Sequence, residues 1–408
     1  MTCISSPDHT SACGQNHELR RVWDRAAVLG SLWASFEIVV GSFLHNLQIP
    51  LAGTVLTAVG VLILVTGERV WNDPRLLWRS ALICALMKSI SPSAIIFGPM
   101  IGIFMEGLLL WAAVRLLGSN LVGYCVGGAA AALWSLAQKI ISLFLFYGSN
   151  IGALYLHAYR YAAHSLGISR FGAYDLLIVL AACQSMAGAA AACAAWKMGR
   201  SATAVNAKPL ESLTSNTASD LFGSGATQRY SPLMLAATAA LLGMGIWITS
   251  ASPLPFAAIF VGAFVLAETL HYPKALRRLL RPKLWAEIAV ILLLSGLVLG
   301  SLQHGSTGLG GLAIGAHMVL RAALVIVGFA ALSIELRNPK ILGFFGRKRL
   351  SNLSSALQSA VGVLPLFMAA LSQRKQGWRR PFRTLAELMA LAESLQSLTR
   401  PGCGRSPC

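Results

Sequence analysis

Residues 94–117 read AIIFGPMIGIFMEGLLLWAAVRLL, apolar throughout except for Glu106 and Arg115. A hydrocarbon core of ~30 Å is crossed by about 20 apolar residues in a helix, and only a helix or closed barrel satisfies its own backbone there. The segment therefore reads as a transmembrane helix. Working outward from it, similar stretches cover roughly 26–44, 49–67, 76–93, 119–148, 173–196, 232–250, 252–270, 284–303 and 309–336. Pro92 and Pro99 punctuate the join between the third and fourth, where only SISPS intervenes. The whole chain agrees: 56% of its 408 residues are hydrophobic and only 12% charged, with a mean hydropathy of +0.65. A water-soluble domain of this length would need more polar surface. The expected fold class is all-α: a polytopic integral membrane protein of about ten transmembrane helices plus cytoplasmic interfacial helices. The first 19 residues are polar and lack the short apolar core of a signal peptide.

Lys and Arg set the orientation, because they accumulate in cytoplasmic gaps. Arg20, Arg21 and Arg25 precede the first span, and Arg69, Arg75 and Arg79 surround the gap between the second and third. Lys274, Arg277, Arg278, Arg281 and Lys283 precede the ninth, and Arg337, Lys340, Arg347, Lys348 and Arg349 follow the tenth. The alternate gaps HNLQI, SPLP and QHGSTG carry none. The exception is 149–172, with Arg160 and Arg170, which reads as a longer external loop helix. Both termini are expected in the cytoplasm, and the bacterial inner (plasma) membrane is the expected location. The net charge of +18 is mostly this inner-face excess. Its basic residues flank helices rather than interleave with aromatics, which argues against a nucleic-acid partner.

Absences narrow the chemistry. The eight cysteines form no framework: Cys84, Cys125, Cys183 and Cys193 fall in spans, and Cys3, Cys13, Cys403 and Cys408 in tails expected to be reduced. No metal site is expected. No GxxxxGK[ST], HExxH or GxSxG occurs, and the five Asp do not cluster as a diphosphate-processing Mg²⁺ site would require. No catalytic residue or cofactor is expected in this chain.

The informative charges lie inside spans, where each is costly unless paired or hydrated. Glu37 is about halfway along the first span and Glu106 about halfway along the fourth; Lys88 and Lys139 lie toward the outer ends of the third and fifth. Glu37, Gly41 and His45 share one helix face that leads outward, and Asn46 and Gln48 add polar groups at that mouth. Glu37, His45, Asn46, Lys88, Glu106 and Lys139 are thus the candidate substrate-binding residues, preferring an anionic or zwitterionic solute. The same residues also suit structural ion pairs. Small residues mark contact surfaces: Ala26, Gly30 and Ala34 form a small-xxx-small ridge in the first span, with Ala27, Ser31 and Ser35 beside it. Such a ridge either packs within its domain or docks another membrane domain.

Residues 197–231 are rich in Ser, Thr, Ala, Asn and Gly and read as a flexible cytoplasmic linker. The parse is a cytoplasmic tail at 1–25, a six-helix membrane domain at 26–196, this linker, a four-helix domain at 232–336, and basic cytoplasmic helices and tail at 337–408. Residues 350–373 are apolar but interrupted by Pro365, and are expected to lie along the inner membrane face. Residues 382–399 place Leu385, Leu388, Met389, Ala392 and Leu395 on one face, as a docking helix would.

Within 26–196, SFLHNLQIPLAGTVLTAVGVLIL and LMKSISPSAIIFGPMIGIFMEGLLLW resemble the substrate-capture S components of energy-coupling factor (ECF) transporters. The resemblance implies six helices, an outer ligand pocket, and a first helix whose Ala26, Gly30 and Ala34 dock a membrane partner. Residues 232–400 look like the T component that links S component to ATPases. The closest stretch is GLGGLAIGAHMVLRAALVIVGFAALSIELRNPKILGFF, with Arg321 inside an apolar helix, and VLPLFMAALSQRKQGWRRPFRTLAELMALAESL would hold the coupling helices. The Ala-Arg-Gly signatures typical of those helices are absent. The resemblance implies separate ABC-type ATPase subunits as partners, with ATP bound there and not here. Two other classes stand beside it: a ten-helix secondary transporter independent of ATP, and a membrane-embedded enzyme of isoprenoid or envelope metabolism.

Overall fold

A computed structural model describes residues 8–46, 52–88, 97–148, 172–202, 232–272, 309–335 and 351–373, with short pieces of 151–164 and residue 387. Among these residues the chain is helical and has no strand. The helices are α1 (Asp8–Asn46), α2 (Ala52–Trp71), α3 (Arg75–Lys88), α4 (Phe97–Leu117), α5 (Leu121–Tyr147), α6 (Ala173–Ala202), α7 (Pro232–Ala251), α8 (Leu254–His271), α9 (Leu309–Glu335) and α10 (Ser351–Gln373).

Seven of the described helices are long and apolar enough to cross a membrane: α2, α4, α5, α6, α7, α8 and α9. Two further expected spans correspond to α1 and α3. The described part of α3 has 14 residues, about 21 Å of helix against a ~30 Å core. α1, at 39 residues, covers the whole of the expected first span, with Glu37 as its one charge between residues 26 and 44. The span expected at 284–303 lies outside the described residues, as does 382–399 apart from residue 387. The apolar surface explains the class physically. Trp247, Phe256, Ile259 and Leu270 on α7 and α8 are all at least 67% exposed, an arrangement that hydrocarbon tolerates and water does not.

Local chemistry sets the boundaries. α4 ends at Gly118, whose φ of 88° is the left-handed conformation glycine adopts freely. Asn120 then caps α5, its side-chain oxygen accepting from the Gly123 amide at 2.8 Å. Asn72, with φ 49°, turns the chain between α2 and α3. Pro253 precedes the first turn of α8, where a missing N–H costs nothing. α6 continues to Ala202, beyond the start of the expected linker.

Two packed groups result. α1 to α6 build the larger core, around the fully buried Trp33, Leu29, Leu76, Leu77, Ile83 and Tyr124. α7, α8 and α9 pack around Leu242, Val261, Phe264 and Leu324. α10 joins the larger core, contributing Leu353, Ala356, Ala360, Leu364 and Phe367. It lies against α1, and α9 reaches α5. The C-terminal part of the chain therefore grips the six-helix part at two places.

Candidate functional site

α1 and α3 run side by side because glycine permits it: a Cβ at Gly30 would meet Ile83 and the Ser80 carbonyl at 2.9 Å. This close approach brings Lys88 to Glu37. The Lys88 ammonium donates to the Glu37 backbone carbonyl at 3.0 Å and pairs with its Oε2 at 3.3 Å. Both side chains are largely withdrawn from solvent, at 13% and 7% exposure. A pair desolvated to this degree holds only with additional hydrogen bonds, and the second acceptor on Glu37 supplies one.

Glu106 lies nearby on α4, buried, with its carboxylate accepting from the Thr57 hydroxyl of α2 at 2.7 Å. It is within electrostatic range of Glu37, and both acids act on the fully buried Cys84 of α3. Three of the candidate residues are therefore brought together, with Thr57 and Cys84 added to them. Lys139 is not part of this group. It is exposed, and its ammonium lies alongside the first turn of α2, 3.7 Å from where a Gly53 Cβ would be. His45 and Asn46 end α1, but their side chains lie outside the described portion, as does Gln48. The group thus holds two carboxylates and one ammonium. Glu106 has no cationic partner among the described residues.

The small-residue surface of α1 divides its work. The ridge of Ala26, Gly30 and Ala34 is fully or almost fully buried, and Gly30 faces α3. The neighbouring ridge receives α10: the Ser31 hydroxyl lies 2.8 Å from the Ala360 carbonyl and 2.6 Å from the Ala27 carbonyl of its own helix, its one proton shared between them. Leu29 and Trp33 turn to α2, where they lie over Gly67 and Gly60. α1 is thus enclosed by α2, α3 and α10.

The second junction is made by Arg321. Its Nε donates to the Leu145 carbonyl at 2.9 Å and its Nη1 to the Ser250 hydroxyl at 2.8 Å, tying α9 to the last turns of α5 and α7. Beside it opens a cavity of about 630 Å³, also lined by His317, Thr249 and Ser252. The charge rule would place these helix ends on the outer side. The guanidinium was visible in the sequence as a charge in an apolar helix; its two acceptors, being ordinary backbone and hydroxyl oxygens, were not.

Sequence reasoning missed two buried polar pairs, Thr238 with Glu268 between α7 and α8 at 3.1 Å and a pair between α5 and α2. The Tyr124 hydroxyl of α5 donates to Glu68 of α2, and the two residues are 0% and 1% exposed. Glu68 sits at the end of a span beside Arg69, where a sequence reads it as an interfacial charge. Among the described residues no group of three or more His, Cys, Asp or Glu is placed to hold a metal ion.

What the fold and these buried charges define is a multi-pass α-helical membrane protein. Comparison with protein-family models, with curated proteins and with solved structures finds no match for this chain.

Proposed function

We propose that the chain is the membrane component of an importer of the ECF type, its six-helix part capturing a small zwitterionic or anionic solute from outside. The observation that carries this reading is the double engagement of α1. One face pairs Glu37 with Lys88 in the interior, and another holds α10 through Ser31. Ser31 and Glu37 are six residues apart, about 9 Å along the helix. A displacement of α10 by a partner would therefore be felt at the ionic group within two turns. Glu106, with one hydroxyl donor and no cation, suits the ammonium of a zwitterion. Lys88 suits its carboxylate, which would exchange with Glu37 as partner. ATP would be spent on separate ATPase subunits acting on the C-terminal part.

A second reading rests on Glu106 alone. A buried carboxyl without a cation is also what a proton-coupled carrier uses, and such a carrier needs no ATPase. Thermal-shift screening of the detergent-solubilised protein against amino-acid-like and carboxylate solutes finds the ligand class, and uptake in intact cells then separates the two readings. Import that survives collapse of the proton gradient but stops on ATP depletion supports the ECF-type reading. Import with the reverse dependence supports the carrier. Absence of any stabilising solute, with no uptake defect on deletion, would sink both.

A further inference from the structure

The Glu18–Arg25 stretch of α1, the α2–α3 turn and the last turns of α4 line a cavity of about 620 Å³. By the charge rule it lies at the inner face. Four arginines line it, Arg21, Arg25, Arg75 and Arg115, against two carboxylates, Glu18 and Asp73. Both carboxylates are engaged by Arg75. Its Nη2 donates to Glu18 at 2.7 Å, and its Nε and Nη2 to Asp73 at 3.0 and 3.1 Å. Arg75 is therefore the frame, locking α1 to the turn. Arg21 and Arg115 have no carboxylate partner among the described residues.

Trp71 supplies a second, independent sign. The residue is 8% exposed and lines the cavity, yet its indole Nε1 has no acceptor among the described residues. An indole N–H can only donate, and a buried donor left unpaired is costly. An oxygen acceptor would satisfy it. Guanidinium groups from two helices thus line one space whose two carboxylates are already held by Arg75, with the buried Trp71 indole at its wall.

We propose that this cavity binds a phosphate group, held by Arg21 and Arg115 with Arg25 beside them and hydrogen-bonded by Trp71. The planar fork of arginine suits phosphate oxygens. Trp71 and Trp111 flank the site as aromatic residues do at headgroup depth. The same chemistry is offered by the headgroup of an anionic phospholipid, for which basic pockets on the cytoplasmic side are suited, and by free phosphate.

The full-length protein in zwitterionic micelles is titrated separately with phosphatidylglycerol and with inorganic phosphate at constant ionic strength, following thermal stability. At least one should raise the melting temperature saturably. Saturation by the lipid alone identifies a headgroup site, and saturation by phosphate alone a soluble ligand. Arg115→Gln and Arg21→Gln should each weaken the apparent affinity at least tenfold, and Arg115→Lys by less. Lys197→Gln removes one charge from an exposed position at the far end of α6 and should change nothing. Both arginines are exposed, so the variants should fold, which their ligand-free melting temperatures verify. No shift with either ligand overturns the proposal. So does equal weakening by Lys197→Gln, which would mean diffuse attraction to the basic face.

Discussion

Lys88 and Lys139 look alike in the sequence, each a lysine toward the outer end of a span, and the structure separates them. Lys88 neutralises Glu37 in a withdrawn position, so Lys88→Gln should destabilise the protein by ~3–5 kcal/mol by leaving a buried carboxylate alone. The double variant Glu37→Gln with Lys88→Gln should recover most of that loss, which thermal melts in detergent would show. Lys139→Gln, at an exposed position, should stay within about 0.5 kcal/mol. If the two lysine variants melt alike, the pairing is wrong. Tyr124→Phe offers a second check at this scale. It removes the one donor that α5 gives to Glu68, and should cost ~1–3 kcal/mol as a buried carboxylate loses one of its hydrogen bonds.

Small residues decide how closely helices meet, and each glycine names its own neighbour. Gly128 on α5 and Gly188 on α6 approach backbone to backbone: a Cβ on either would collide with the other's carbonyl. No side chain can enter that crossing, as small-xxx-small packing requires. On α1 the two ridges should respond differently. Gly30→Leu would push into Ile83 and Ser80, and should lower the stability of the whole six-helix part. Ser31→Leu would instead fill the seat of α10. In a cysteine-free background, Ser31→Cys with Ala360→Cys should form an oxidisable cross-link in the full-length chain. Adding Ala27→Leu, one turn along the same ridge, should abolish it, whereas a cross-link that persists would show that α10 does not depend on the ridge. The resemblance assigns docking to the ridge of Ala26, Gly30 and Ala34; in the structure Gly30 packs on α3 and the adjacent Ser31 meets α10.

For the molecule as a whole, the fold is a membrane-embedded six-helix part clasped by α9 and α10 of a second part. The Arg321 clamp and the Ser31 contact lie on different helices of the first part, α5 and α1, so the two parts are held at two separated points. Orientation is testable without reference to either contact. With both termini cytoplasmic, a cysteine probe at Ser306 should label from outside, and one at Ser215 only after permeabilisation. The reverse pattern would invert the membrane topology and move the arginine-lined cavity to the outer face.

The helical membrane class was legible in the sequence, because an apolar run of span length with few charges admits one solution in hydrocarbon. So were most helix boundaries, since Gly118, Asn120 and Pro253 act on their own neighbours. The intramembrane charges were equally visible, as each stands out against an apolar background. Their partners were not. Lys88 meets Glu37 from 51 residues away, Glu106 meets Thr57 rather than a lysine, and Lys139 meets neither acid. Tyr124 finds Glu68 across two helices that the sequence treats separately. The seat of α10 on α1 joins residues 329 positions apart. Period and composition report the environment a side chain requires, but the neighbour that provides it depends on which helices cross and at what rotation. That is set by the packing of the whole bundle, and only the tertiary structure decided it.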